Sequence, residues 1–332
     1  MKRFVKLCTV LMITAIFVAI FFVFSACEKT TLRFAAPEGT PALAIARLAT
    51  DNKAIENNNI KYEIVAPGNI AGEMSTGKAD LVIMPINAGA NLIRQGAEYK
   101  LVSVAVDGSL YMIGTTATGG TIAMSDIIGK KIACIGETGV PGLVFRYVMK
   151  GSGITMITEG NPNAANNEIL VEYVTDGTLA MSLLKNHSVD FAVVGEPAAT
   201  TFKTKLSLNA EMNMQTEYAR IANDGSQSYP QAGLFVKTKL VSNTKFMTKL
   251  FAALESSKSW VNDNPTLVTD HMQTSLKSTS TFNAVSIPRC SLNCAPLSDS
   301  KKTEIVSFLS AIMPKDGKGN SIDWTQAAPI IF

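Results

Sequence analysis

Four times along this chain a short, uninterrupted apolar stretch runs into a turn carrying proline or glycine and then into a segment with helical spacing. The stretches are RFAAPEGTPALAIARLA (33–49), ADLVIMPINAGANLIRQ (79–95), KKIACIGETGVPGLVFRYVM (130–149) and VDFAVVGEPAATTFKTKL (189–206). Apolar runs that do not alternate with polar residues predict strands covered on both faces. Strands alternating with helical segments predict βα units in mainly parallel sheets, an α/β fold.

The four units fall into two pairs, within 32–95 and 130–205. Between them runs YKLVSVAVDGSLYMIGTTATGG, with Asp107-Gly108 as a turn, and after them comes the extended DGSQSYPQAGLFVKTKLV. This predicts two αβ lobes joined by two extended crossovers, residues 30–109 with 233–332 forming one and 110–232 the other. The tail reads as mostly helical. One helix ends before Pro265, and a second starts at Ser298 as N-cap and stops at Pro314.

Composition adds an address. Apolar residues make up 47% of the 332, and 30 Lys+Arg face 27 Asp+Glu. Three of the basic residues, Lys2, Arg3 and Lys6, precede the apolar run LCTVLMITAIFVAIFFVF; the remainder balances at 27 against 27. No basic stripe remains for nucleic acid. A charged start, an apolar run and the small pair Ser25-Ala26 before Cys27 predict a signal peptide over 1–26, cleaved before Cys27, which is then acylated. Phe24 stands where such signals usually carry Leu, and an uncleaved membrane anchor is the alternative. Either way the rest of the chain is expected outside the cytoplasmic membrane.

In open parallel sheets, ligands bind beyond the C-terminal strand ends, where the first N–H groups of the next helix are unpaired and its dipole is positive. Thr40-Pro41 and Gly139-Val140-Pro141 are therefore candidate opposing jaws of a ligand site; the alternative is that each turn only reverses the chain. Glu38, Glu137 and Glu196 sit inside the turns and either cap backbone N–H groups or meet a cationic part of a ligand, Glu196 being the better candidate for ligand contact. Cys134 reads as a buried small hydrophobe. Cys290 and Cys294 either pair outside the cell or are unrelated thiols. His187 and His271, the only histidines, lie outside the turns and away from the cysteines. No catalytic residue, cofactor or metal site is expected.

Together, the N-terminal signal and the four units resemble the substrate-binding proteins of ABC importers of the nitrate/sulfonate/taurine type, which also include thiamine-pyrimidine binders. The resemblance covers nearly all of 30–332. It implies a type II periplasmic-binding-protein fold with a ligand in the cleft, hinge closure, and an ABC permease and ATPase as partners of a lipid-anchored monomer. It maps ligand contact onto Gly39, Thr40, Pro41 and Ala42; Asn87 and Ala88; Thr138, Gly139, Val140 and Pro141; and Glu196. The turns lack the Arg or Lys expected to grip a sulfonate or nitrate, and Arg289 is the nearest cation. A ligand sensor without transport is the second reading. A thiamine-pyrimidine synthase-like enzyme is the third, against which stands the absence of a Cys cluster and of a base at the turns.

Overall fold

The computed structural model describes residues 31–332. The expected signal peptide and the acylation site at Cys27 lie outside the described residues. Thirteen strands run in chain order: β1 Thr31–Pro37, β2 Ala54–Ile55, β3 Asn58–Val65, β4 Leu81–Pro85, β5 Tyr99–Asp107, β6 Leu110–Gly114, β7 Gly120–Thr121, β8 Lys131–Ile135, β9 Thr155–Ile157, β10 Glu168–Val174, β11 Phe191–Gly195, β12 Ala210–Asn213 and β13 Pro230–Lys237. They form two sheets, ordered β2-β3-β1-β4-β13-β5 and β7-β12-β6-β11-β8-β10-β9.

The chain crosses between the sheets twice. β5 leads through Asp107-Gly108 to β6, and β12 leads through the helix Met214–Ala222 to β13. The departures from the expected parallel arrangement occur at these crossings and at β2, which pairs antiparallel with the adjacent β3. β1, β3 and β4 are parallel, as are β8, β9, β10 and β11. The strand arriving from the other sheet runs antiparallel to its neighbours: β13 against β4 and β5, β6 against β11 and β12.

Six helices matter here: α1 Ile86–Arg94, α2 Val140–Gly151, α3 Gly177–Lys185, α4 Ala198–Lys205, α5 Thr244–Asp263 and α6 Asp299–Ile312. Their starts follow capping chemistry in the tail. Asn243 accepts a hydrogen bond from the Phe246 N–H before α5, and Ser298 accepts one from the Lys301 N–H before α6. The segment after Pro41 differs from the expected helix. It forms a 3-10 turn over Thr40–Ile45 with a short helix at Leu48–Asp51. No side chain caps this turn, and Ala42 to Ala46 are fully buried beneath α5, so packing rather than helix propensity sets its geometry.

One core lies under the first sheet and α5. A second lines the outer face of the other sheet, against α3 and α4. The third runs continuously from one sheet to the other, and Ile305, Phe308 and Leu309 of α6 share it with Val144 and Tyr218. One tail helix thus touches elements on both sides.

Of the two readings for Cys290 and Cys294, the structure agrees with unrelated thiols: both are free and buried. Cys290 Sγ lies 3.5 Å from Thr40 Oγ1, while Cys294 Sγ faces the Ala105 carbonyl at 3.7 Å. The thiols face different partners, and burial pushes each pKa up to about 12, keeping both protonated.

Gly89 on α1 marks the tightest packing. A Cβ there would stand 2.2 Å from Cζ of the buried Phe235. Gly89→Ala should destabilise the protein by about 1–3 kcal/mol despite alanine's better helix propensity. Urea unfolding measures this, and a variant as stable as wild type would contradict the packing.

Candidate ligand cleft

β1, β4, β8 and β11 end at Pro37, Pro85, Ile135 and Gly195, and all four ends line one cavity of about 530 Å³ between the two sheets. The turns bring this about: an apolar strand stops where its proline or glycine stops the ladder, and the next helix begins at the cavity wall. Of the residues singled out in the sequence, Gly39, Thr40, Pro41, Val140, Pro141 and Glu196 line the cavity. Ala42, Asn87, Ala88, Thr138 and Gly139 do not. Residues without a local signal also line it: Thr178 and Met181 of α3, Thr201, Phe202 and Lys205 of α4, and the loop Thr279 to Thr281.

Several turn side chains are engaged across the cleft. Thr40 Oγ1 donates to the Glu196 carbonyl at 2.7 Å, and Asn87 Nδ2 donates to the Thr138 carbonyl at 3.1 Å. Each bond joins an element of the first sheet to one of the second. Asn87 is buried, and its Oδ1 has no partner.

The three acidic turn residues take three different roles. Glu38 caps the tail loop: Ser278 and Ser280 hydroxyls each donate to it at 2.6 Å, and the Thr279 and Ser280 N–H groups donate at 3.2 Å. Burial alone would raise its pKa, but these four donors outweigh burial and hold it below the usual value. Glu137 is exposed, 3.9 Å from Arg146. The Glu196 carboxylate is wholly buried and unavailable to a ligand. It accepts from the N–H and hydroxyl of Thr200 and from Arg289 Nε, so only its backbone faces the cleft.

Arg289 is equally engaged. Its two terminal nitrogens grip Glu211 at 2.9 and 3.1 Å, and its guanidinium stacks 3.8 Å from the Tyr111 ring centre. The cation nearest the cleft in sequence reasoning is therefore spent on protein carboxylates. Lys205 is the one Lys or Arg in the lining, it is exposed, and it forms no ion pair among the described residues. His271 does not line the cleft; its Nε2 lies 3.0 Å from the Ala46 carbonyl. Among the described residues no group of three His, Cys, Asp or Glu is placed to hold a metal ion.

No protein-family model matches the sequence, and no curated protein matches it. Solved structures do. An ABC transporter protein from Parabacteroides distasonis superposes with a TM-score of 0.69 at 17% identity, covering 88% of this chain and 95% of that one. The periplasmic aliphatic sulphonate binding protein SsuA from Escherichia coli gives 0.64 at 12% identity, covering 90% and 97%. A Candida albicans gene product described as having the generic periplasmic binding protein fold gives 0.58 at 10% identity, covering 90% and 95%.

The chain has the periplasmic-binding-protein fold.

Within that fold the space between the sheets is a concave, partly apolar cleft. The cap on Glu38 also makes the cleft wall sensitive to pH. A carboxylate with a lowered folded pKa contributes stability above its unfolded value, here 4.5, and loses it as pH falls through the folded value. Glu38→Gln should therefore lose less stability than wild type between about pH 5 and pH 3. Thermal melts across that range check this, and parallel curves would contradict the capping role.

Proposed function

We propose that this chain is an extracytoplasmic solute-binding protein that captures one small molecule in the cleft and delivers it to an ABC permease and its ATPase. The observation that carries this reading is the convergence of four strand ends, two from each sheet, on one cavity between units connected by two chain crossings. The two units, residues 30–109 with 233–332 and residues 110–232, close on the ligand about those crossings. In this reading the Thr40–Glu196 and Asn87–Thr138 bonds, which join the two walls, would be made on closure and broken on opening. The solute classes suggested by the resemblance are sulfonates, nitrate, taurine and thiamine-type pyrimidines.

A thermal-shift screen of small metabolites tests the capture step. A true solute at a hundredfold excess over its Kd should stabilise the protein by about 2.7 kcal/mol. Thr178→Trp, which places an indole in the cleft from an exposed position, should abolish the shift. A shift of equal size in the variant would place binding elsewhere.

The anchor belongs to the same proposal. Signal cleavage before Cys27 and acylation of its sulfur would hold the protein at the outer face of the cytoplasmic membrane, several acyl chains giving a stable attachment. Cys27→Ser expressed in a bacterium should lose fatty-acid labelling. Continued labelling, or a mature chain beginning at Met1, would contradict it.

A further inference from the structure

The turn after β1 and the starts of α2, α3 and α4 are poorly suited to an anion; the start of α1 has no side-chain cap, but its Asn87 and Ala88 do not line the cavity. A helix N-terminus attracts negative charge through free N–H groups and a positive dipole. Here Pro141 removes one N–H at the start of α2, and the Gly142 and Leu143 N–H groups already donate to the Gly136 and Gly139 carbonyls. Pro41 removes another in the first turn, where the Ala42 N–H donates to Gly39. At α3 and α4 a carboxylate already occupies the place. Asp176 accepts from the N–H groups of Thr178 and Leu179 at 2.8 and 3.1 Å, and Glu196 accepts from that of Thr200 at 3.2 Å. A second anion at either start would meet a like charge.

The inner walls are apolar instead. Ile135, Val140, Val194, Met181 and Phe202 face the cavity. So do six of the chain's 13 prolines: Pro37, Pro41, Pro67, Pro85, Pro141 and Pro197. The positive charge sits at the other end. Ala198, Thr201, Phe202 and Lys205 follow helical spacing and form one face of α4 along the cleft. Seven residues at 1.5 Å per residue carry Lys205 about 10 Å along the helix from Ala198.

We propose, building on the solute-binding reading, that the cleft takes an elongated ligand apolar end first, with a single anionic group held outward at Lys205. This reverses the polarity expected of a cleft that seats an oxyanion on its helix starts. The apolar body gains burial against the proline and aliphatic walls. The Thr178 and Thr201 hydroxyls serve any polar group between the ends.

Calorimetric titration of the full chain in detergent, with detergent matched in cell and syringe, tests this with defined probes: 3-phenylpropionate, 3-phenylpropionamide, acetate, sulfate and nitrate. Phenylpropionate should bind at least about tenfold tighter than acetate, sulfate or nitrate, since a phenyl ring is worth more than one decade when buried. Lys205→Ala should weaken phenylpropionate about two- to fivefold and leave the amide unchanged, as for an exposed ion pair. Thr178→Trp should abolish binding of both. Sulfate or nitrate binding as tightly as phenylpropionate, and lost in Thr178→Trp, would overturn the ligand orientation while leaving the cleft as the binding site. Probe binding that survives Thr178→Trp would overturn the solute-binding cleft and the orientation together. An equal loss of acid and amide in Lys205→Ala, or no measurable binding of phenylpropionate, would overturn the orientation.

Discussion

A carboxylate with no access to water sits at the end of β11, and its neutralisation ties distant parts of the chain together. The Glu196 side chain is 0% exposed. Burying such a charge without a partner costs several kcal/mol. Its partner, Arg289, lies at the end of a short helical turn whose Ile287 packs in the core of the first sheet. To reach Glu196 the tail must pass beside the crossing at Asp107-Gly108, and the same guanidinium then grips Glu211 on β12 and covers Tyr111 on β6. One residue from the first-sheet side thereby fixes three strands of the second. The Glu196 carbonyl, held in place by that pair, accepts the Thr40 hydroxyl from the opposite wall. Lys203 adds a second cation to Glu211 at 2.8 Å, and although burial acts to raise the Glu211 pKa, the two cations keep it below the usual value.

This network shapes the cleft by subtraction. The acid and the base that sequence reasoning would bring to a ligand are both consumed internally. Glu38 is consumed as well, by the loop at 278–280. What remains facing the cavity is apolar wall, threonine hydroxyls and one lysine. Such a lining offers mostly shape and apolar contact, with few polar donors and a single charge at Lys205.

The side chains bridging the walls are also subtracted. Thr40 and Asn87 spend their donors on carbonyls across the cleft rather than holding them for a ligand. The buried Asn87 oxygen is the exception: it has no partner, and an unsatisfied buried acceptor is costly. Contacts of this strength, each about 0.5–1.5 kcal/mol, tie the two walls together only weakly.

The fold was legible in the sequence because its signals are local. An apolar run such as AVV in β11 or LVIM in β4 must be covered on both faces, and Pro and Gly punctuate the chain whatever surrounds them. Ser298 before α6 and the stop ahead of Pro314 follow from backbone chemistry alone. The placement of six of the candidate site residues on the cavity wall has the same origin, since a strand–turn–helix unit puts its turn at the strand end. The partners of those residues were not legible. Lys205 ends an ordinary polar helix segment, and only the position of α4 along the cleft makes it the free cation. Arg289 lies 93 residues from Glu196, and nothing in the local sequence links them. Charge pairing, the burial of Glu196, the separate surroundings of Cys290 and Cys294 and the occupation of the helix starts depend on which segments meet in space. Long-range packing settles these, because electrostatic and hydrogen-bond energies are set by distance and burial rather than by spacing along the chain.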